Sequence, residues 1–156
     1  MSNTTKSAQA MRSARIAGVQ SLYEIEISNS SSDTIMVDFL HQRWSSFNED
    51  MGEPFQPNKT KFVCLLRGVH KEKGYLDEII SAAINKDRKF ELLDVLLKSI
   101  LRAATFELLR EPNVPLAVII NEYVEITHTF YFDNEAGFVN GVLDAAGKTL
   151  RAQREK

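Results

Sequence analysis

From Ala8 to Ile27, apolar residues return at three- and four-residue steps, at Met11, Ala14, Ile16, Val19, Leu22, Tyr23 and Ile27. That spacing lines one face of an α-helix. SNSSSD (28–33) then interrupts the pattern as a polar linker whose last residue, Asp33, suits a helix N-cap. A second helix is expected over Thr34 to Phe47, with Met36, Val37, Leu40, Trp44 and Phe47 on one side, before NEDMGEPFQPN (48–58) breaks the chain again. Thr60 to Lys71 carries Phe62, Val63, Leu65, Leu66 and Val69 inward, and Gly74 is expected to separate this third helix from a short fourth, Tyr75 to Ile84. NKDRK (85–89) is a polar connection to the most hydrophobic segment, Phe90 to Leu109, which is expected to lie at the centre. PNVP (112–115) ends that helix, because proline lacks a donor and clashes with the preceding turn. Pro115 fits the first position of a sixth helix reaching about Phe130, and a last helix is expected over Ala136 to Ala152. The pattern predicts an all-α fold of six or seven helices in a single compact domain, 1–156, with residues 1–7 as a flexible basic arm.

One stretch tests this reading. FVNGVL (138–143) places Asn-Gly between hydrophobic residues, which is a strong hairpin-turn signal. Alternation fails, however, because Val142 and Leu143 would face opposite sides of a strand, whereas Phe138, Val142, Ala145 and Thr149 form one helical row and Val139, Leu143, Ala146 and Leu150 the next. A helix through the pair is therefore expected. Glycine within a helix costs about 1 kcal/mol against alanine, so Gly141 is expected to admit another helix close to its backbone, and Asn140 to hold internal hydrogen-bond partners.

Composition narrows the class without naming a function. Nineteen Lys and Arg against 21 Asp and Glu give a net charge of −2, so nucleic-acid binding would need a local basic patch. The single cysteine, Cys64 in FVCLL, excludes an internal disulfide and is expected to be a buried thiol. No uninterrupted apolar run reaches about 18 residues, and MSNTTKSAQAMRSARIAG lacks the apolar middle of a signal peptide. A cytoplasmic protein is expected. Asp38-x-x-His41 and Glu125-x-x-His128 follow the carboxylate-x-x-His spacing of di-metal helix bundles, with Glu107 and Glu78 as candidate extra ligands. HExxH, P-loop, GxSxG and paired-cysteine motifs are absent from the sequence.

ARIAGVQSLYE (14–24), ILRAATFELL (100–109), VP (114–115), INE (120–122) and FVNGVLD (138–144), in this order, resemble the NusB family of bacterial transcription antitermination factors. The resemblance implies an all-helical RNA-binding protein without catalytic activity, cofactor or metal. It implies pairing with NusE, a ribosomal small-subunit protein, binding of the boxA element of nascent ribosomal RNA, and entry into the elongating RNA polymerase complex. In some family members a homodimer masks the RNA surface. The helical domain of the rRNA cytosine methyltransferases is the related alternative, and the di-metal bundle a second one.

Carried onto this chain, the family's basic RNA-contact region corresponds to Lys6, Arg12 and Arg15, with no acid before Glu24 and with Met11 and Ser13 where further basic residues are common. Arg12 and Arg15 share a helix face. Tyr23, beside them, suits either the core or a stacking role. The second RNA contact falls on the bend YFDNEAG (131–137) and the next helix, through Asp133, Asn134, Gly137 and Phe138, with Tyr131 and Phe132 as further rings. The partner face corresponds to Glu91, Leu97, Lys98 and Glu107, with Leu97 where the family usually has an acid. Arg102 and Asn121 are expected to form internal hydrogen bonds.

Overall fold

The computed structural model describes residues 3–43, 58–85 and 87–154, with side chains from residue 7 onward. Trp44, Phe47 and the break that follows them lie outside the described residues. Six α-helices and no strand occur among the described residues: α1 (Asn3–Ser28), α2 (Ser32–Asp38), α3 (Lys59–Ala83), α4 (Val95–Arg110), α5 (Leu116–Phe130) and α6 (Glu135–Arg154). The chain divides into two compact units, Met1–His70 and Lys71–Lys156, the division falling within α3.

In the first unit, α1 begins at Asn3, so residues 3–7 are helical and not an arm. No proline or glycine stands before Gly18 to stop the helix extending towards the amino terminus. Ala14, Ile16, Ala17, Val19 and Leu22 are buried. The cap of α2 is Ser31, not Asp33: its hydroxyl accepts from the Thr34 amide at 3.1 Å, and Asp33 sits in the first turn, where a carboxylate suits the positive end of the helix. After Asp38 the chain widens into a π-turn, Phe39–Arg43, which seats the Phe39 ring 5.0 Å from that of Phe62. Asn58 caps α3 by accepting from the Lys61 amide at 2.9 Å. A Cβ at Gly18 would stand 3.2 Å from Leu65 Cδ1, so this glycine allows α1 and α3 to approach closely. Cys64 is exposed, contrary to expectation. It lies between the buried positions Phe62, Leu65 and Leu66 on the side of α3 that they leave out.

Gly74 does not divide α3. The buried stripe Val69, Leu76, Ile80 continues through it at helical spacing, and nothing approaches within 4 Å of the position its Cβ would take. One glycine costs about 1 kcal/mol, which continuous burial on both sides outweighs. In the second unit, α4, α5 and α6 pack against one another. A single 3₁₀ turn, Phe90–Leu92, precedes α4, whose true start is fixed by Asp94 accepting from the Leu97 amide at 2.9 Å. Every residue from Ser99 to Leu108 is buried, so α4 is a core helix on all sides. α6 fastens the end of α4 and the connection after it: Arg154 donates to the carbonyl of Leu109 in the last turn, and Arg151 donates to the carbonyls of Glu111 at 3.2 Å, Pro112 at 2.8 Å and Val114 at 2.7 Å.

The Asn-Gly pair lies inside α6, as the helical pattern predicted. The packing role assigned to Gly141 is wrong, however: it is exposed and no atom lies within 4 Å of where its Cβ would stand. Asn140 is exposed as well, not internally bonded. At about 100° per residue, Gly141 projects nearly opposite Val139 and Ala146, which line the buried side. The close approach in this helix belongs to Gly147, where a Cβ would stand 2.9 Å from Leu116 Cδ2 and 3.7 Å from Leu108 Cδ2. Gly141→Ala is therefore expected to stabilise the protein by about 0.5–1 kcal/mol. A thermal midpoint raised by a few degrees is the expected reading, and a lowered one would mean that something packs on this face.

Candidate nucleic-acid interface

The candidate RNA residues fall into two groups, one in each unit. In α1, Arg12 is exposed and Arg15 half-buried, three residues apart and on one side of the helix; the side chain of Lys6 lies outside the described residues. Ser13 and Ala14, between the two arginines, are buried, which explains why the cationic stripe is narrow. Tyr23 is 40% exposed, so its ring is available at the surface and is not a core ring.

The second group is the bend between α5 and α6. The Tyr131 hydroxyl donates to Asp94 Oδ1 at 2.7 Å, tying the bend to the start of α4. Burial pushes the Tyr131 phenol well above its usual pKa, reinforced by the hydrogen bond to Asp94 and by the carboxylates Asp94, Glu135 and Asp133. The hydroxyl therefore stays protonated and remains a donor. Asp133 accepts from the Glu135 amide at 3.3 Å, closing the turn that starts α6. The Asn134 carbonyl accepts from the Phe138 amide at 3.2 Å, and the Asn134 and Gly137 side positions face solvent. Phe132 is fully exposed at the tip. Phe138 is half-buried, and one face of its ring is covered by the Arg88 guanidinium, whose central carbon lies 4.0 Å from the ring centroid. Arg88 also reaches both carboxylate oxygens of Glu135, at 3.3 and 3.4 Å. Sequence reasoning passed over Arg88, which stands in the connection NKDRK far from the bend in sequence; only the fold brings them together.

The expected partner face is corrected in two places. Leu97 has no exposed surface, so it is a core residue and makes no surface contact. Its place in the row Leu97, Ile100, Leu101, Ala104, Leu108 was the signal that would have revealed this. Glu107 is buried too and accepts a hydrogen bond from the Tyr123 hydroxyl, which excludes it from a partner surface. Glu91 is exposed, and Lys98 donates to its carbonyl at 3.2 Å while lying 5.3 Å from the Phe90 ring centroid. Between them in the chain Leu92 is 81% exposed, an apolar side chain at the surface beside Arg88 and Lys89.

Arg102 is buried, with Nε and Nη2 donating to the two Asp77 carboxylate oxygens at 2.7 and 3.0 Å. Asn121, in contrast, is exposed on α5 and does not serve the core. Among the described residues no three His, Cys, Asp or Glu side chains are grouped to hold a metal ion. No helix of the described residues is long and apolar enough to cross a membrane.

Fold and surface define a small all-α protein whose exposed features are a cationic amino-terminal helix and an aromatic bend flanked by a stacked arginine. The NusB family model matches residues 12–148, and the chain belongs to the NusB family. It is 38% identical over 152 residues to the transcription antitermination protein NusB of Sinorhizobium fredii, covering 97% of this chain and 94% of that one. The same identity over 140 residues links it to the transcription antitermination protein NusB of Caulobacter vibrioides, with 88% of this chain and 92% of that one covered. Among solved structures, T. maritima NusB is similar with a TM-score of 0.71 and 27% identity, over 92% of this chain and 94% of that one.

Proposed function

We propose that this chain is a cytoplasmic, non-catalytic transcription antitermination factor that binds single-stranded RNA of the boxA type together with NusE and joins the elongating RNA polymerase. Membership in the NusB family supports the reading, and the observation on this chain that carries it is the acid-free basic start of α1. Arg12 and Arg15 share a face there, and the first acid of the chain is Glu24. On a molecule of net charge −2 this is a local concentration of positive charge, and phosphate contacts supply most of the sequence-independent affinity for RNA. The bend supplies the second element, ring surfaces against which unpaired bases stack.

The partner surface is proposed to include Glu91 and Lys98, with the exposed Leu92 at its edge towards Arg88 and Lys89. An exposed leucine flanked by charged groups is the composition of an interface patch with a polar rim.

The test is titration of labelled boxA-type RNA with the protein, with and without NusE, at two salt concentrations, with light scattering to register any homodimer. Arg12→Ala with Arg15→Ala is expected to weaken binding on the order of tenfold and to lower the log–log salt slope by about 1.4, or about 0.7 for each single-strand phosphate released. The circular dichroism spectrum should stay unchanged, because Arg12 is exposed and Arg15 only half-buried on a helix that alanine favours. Equal affinity and slope in the double variant would remove α1 from the RNA surface.

A further inference from the structure

The bend has an electrostatic difficulty as a place for RNA. Asp133, Glu135 and Asp94 bring three carboxylates to it, and each repels phosphate. The structure answers this with Arg88. Its guanidinium lies on the Phe138 ring at 4.0 Å, is clasped by Glu135 at 3.3 and 3.4 Å, and keeps 39% of its side-chain surface exposed. Glu135, by comparison, is only 19% exposed, so its charge is turned inward onto the arginine. Lys89 follows directly, exposed, along a shallow depression of about 280 Å³ that it lines with Asp87, Arg88, Leu92 and Leu93. A guanidinium seated over a ring and hydrogen-bonded at its edge to a carboxylate loses little freedom on binding, and its exposed surface can meet a base by stacking.

We propose that Arg88 is a nucleotide-contacting residue of the RNA surface, presenting its guanidinium plane over Phe138 as the platform on which one unpaired base stacks. This rests on the RNA-binding reading above and adds to it a residue, a contact type and a location. Phe138 then acts from beneath, as the residue that holds the arginine flat. Glu135 sets its orientation and cancels part of the bend's negative charge.

The experiment uses a short boxA-type single-stranded RNA carrying 2-aminopurine in place of single adenines, titrated with the protein and NusE. For the unaltered protein, binding should quench 2-aminopurine at one position. Arg88→Gln is expected to bind on the order of tenfold more weakly, and to lose that quench. Arg88→Lys keeps the charge and is expected to retain the salt slope while still losing both the quench and most of the affinity, because an ammonium offers no plane. Circular dichroism and thermal melting of each variant confirm that the fold is kept. The inference is overturned if Arg88→Gln binds within twofold of the unaltered protein, or if Arg88→Lys matches it in both affinity and quench. Absence of RNA binding by the unaltered protein with NusE would instead defeat the RNA reading itself, and this inference with it.

Discussion

Leu97→Ala is expected to lower the free energy of unfolding by about 2–5 kcal/mol, the range for removing a leucine side chain from a closed core. Leu97 is fully buried at the start of a helix whose next buried run extends from Ser99 to Leu108, so little room exists for neighbours to collapse into the space. Leu97→Glu should be more severe still, since an ionised carboxylate would be placed where no water reaches it. Urea titration monitored by circular dichroism measures both, with the midpoint falling and the slope unchanged for the alanine variant. Partner affinity, measured well below the new midpoint, should be preserved in Leu97→Ala. The reverse pattern, full stability with weakened NusE binding, would return Leu97 to the partner face.

The pair Arg102–Asp77 is expected to give the second large effect. Arg102 retains 8% side-chain exposure and Asp77 26%, with two parallel hydrogen bonds between them. Removing one member strands a charge: Arg102→Met should cost about 3 kcal/mol, at the low end of the range for buried pairs because Asp77 keeps some contact with water. Arg102→Met combined with Asp77→Leu should recover most of the loss, since an apolar replacement of both charges leaves neither member of this pair facing a vacant partner. Strict additivity in this double-mutant cycle would show that the two side chains do not depend on each other. The Phe90 ring, 5.4 Å from the guanidinium, would then be the contact that holds Arg102 in place.

Most of the helical layout was legible in the sequence because helix formation is a local property. Spacing of three and four along α1, α4, α5 and α6 recorded which segments coil and approximately where each stops, and the Asn-Gly pair was assigned to a helix for the same reason. Errors arose where a single residue was given the weight of its neighbours. Gly74 by itself reads as a break although the buried stripe runs through it, and Asp33 reads as a cap although Ser31 fills that place two residues earlier. Residues 3–7 were expected to form an arm but already belong to α1.

The candidate site was legible only in part. The basic residues of α1 and the rings of the bend are local features, and the family resemblance pointed to them. Which polar or apolar residues were core and which were surface was harder to read. Leu97 and Glu107 went to the core and Leu92 to the surface, because exposure depends on what packs over a residue and not on its own polarity. A buried glutamate is tolerated where a tyrosine hydroxyl from another helix reaches it.

Helix spacing, the acid-free cationic start and the ordered motifs of the NusB family are properties of the chain itself, since each depends on residues at most a few turns apart or on their linear order. The side chains that meet across the second unit are not. Arg88 on Phe138 and Glu135, Arg151 on the carbonyls of the connection after α4, and Gly147 against Leu116 join positions some 30 to 50 residues apart. No local pattern encodes such a meeting, because it exists only after the helices have packed and turned particular faces towards one another.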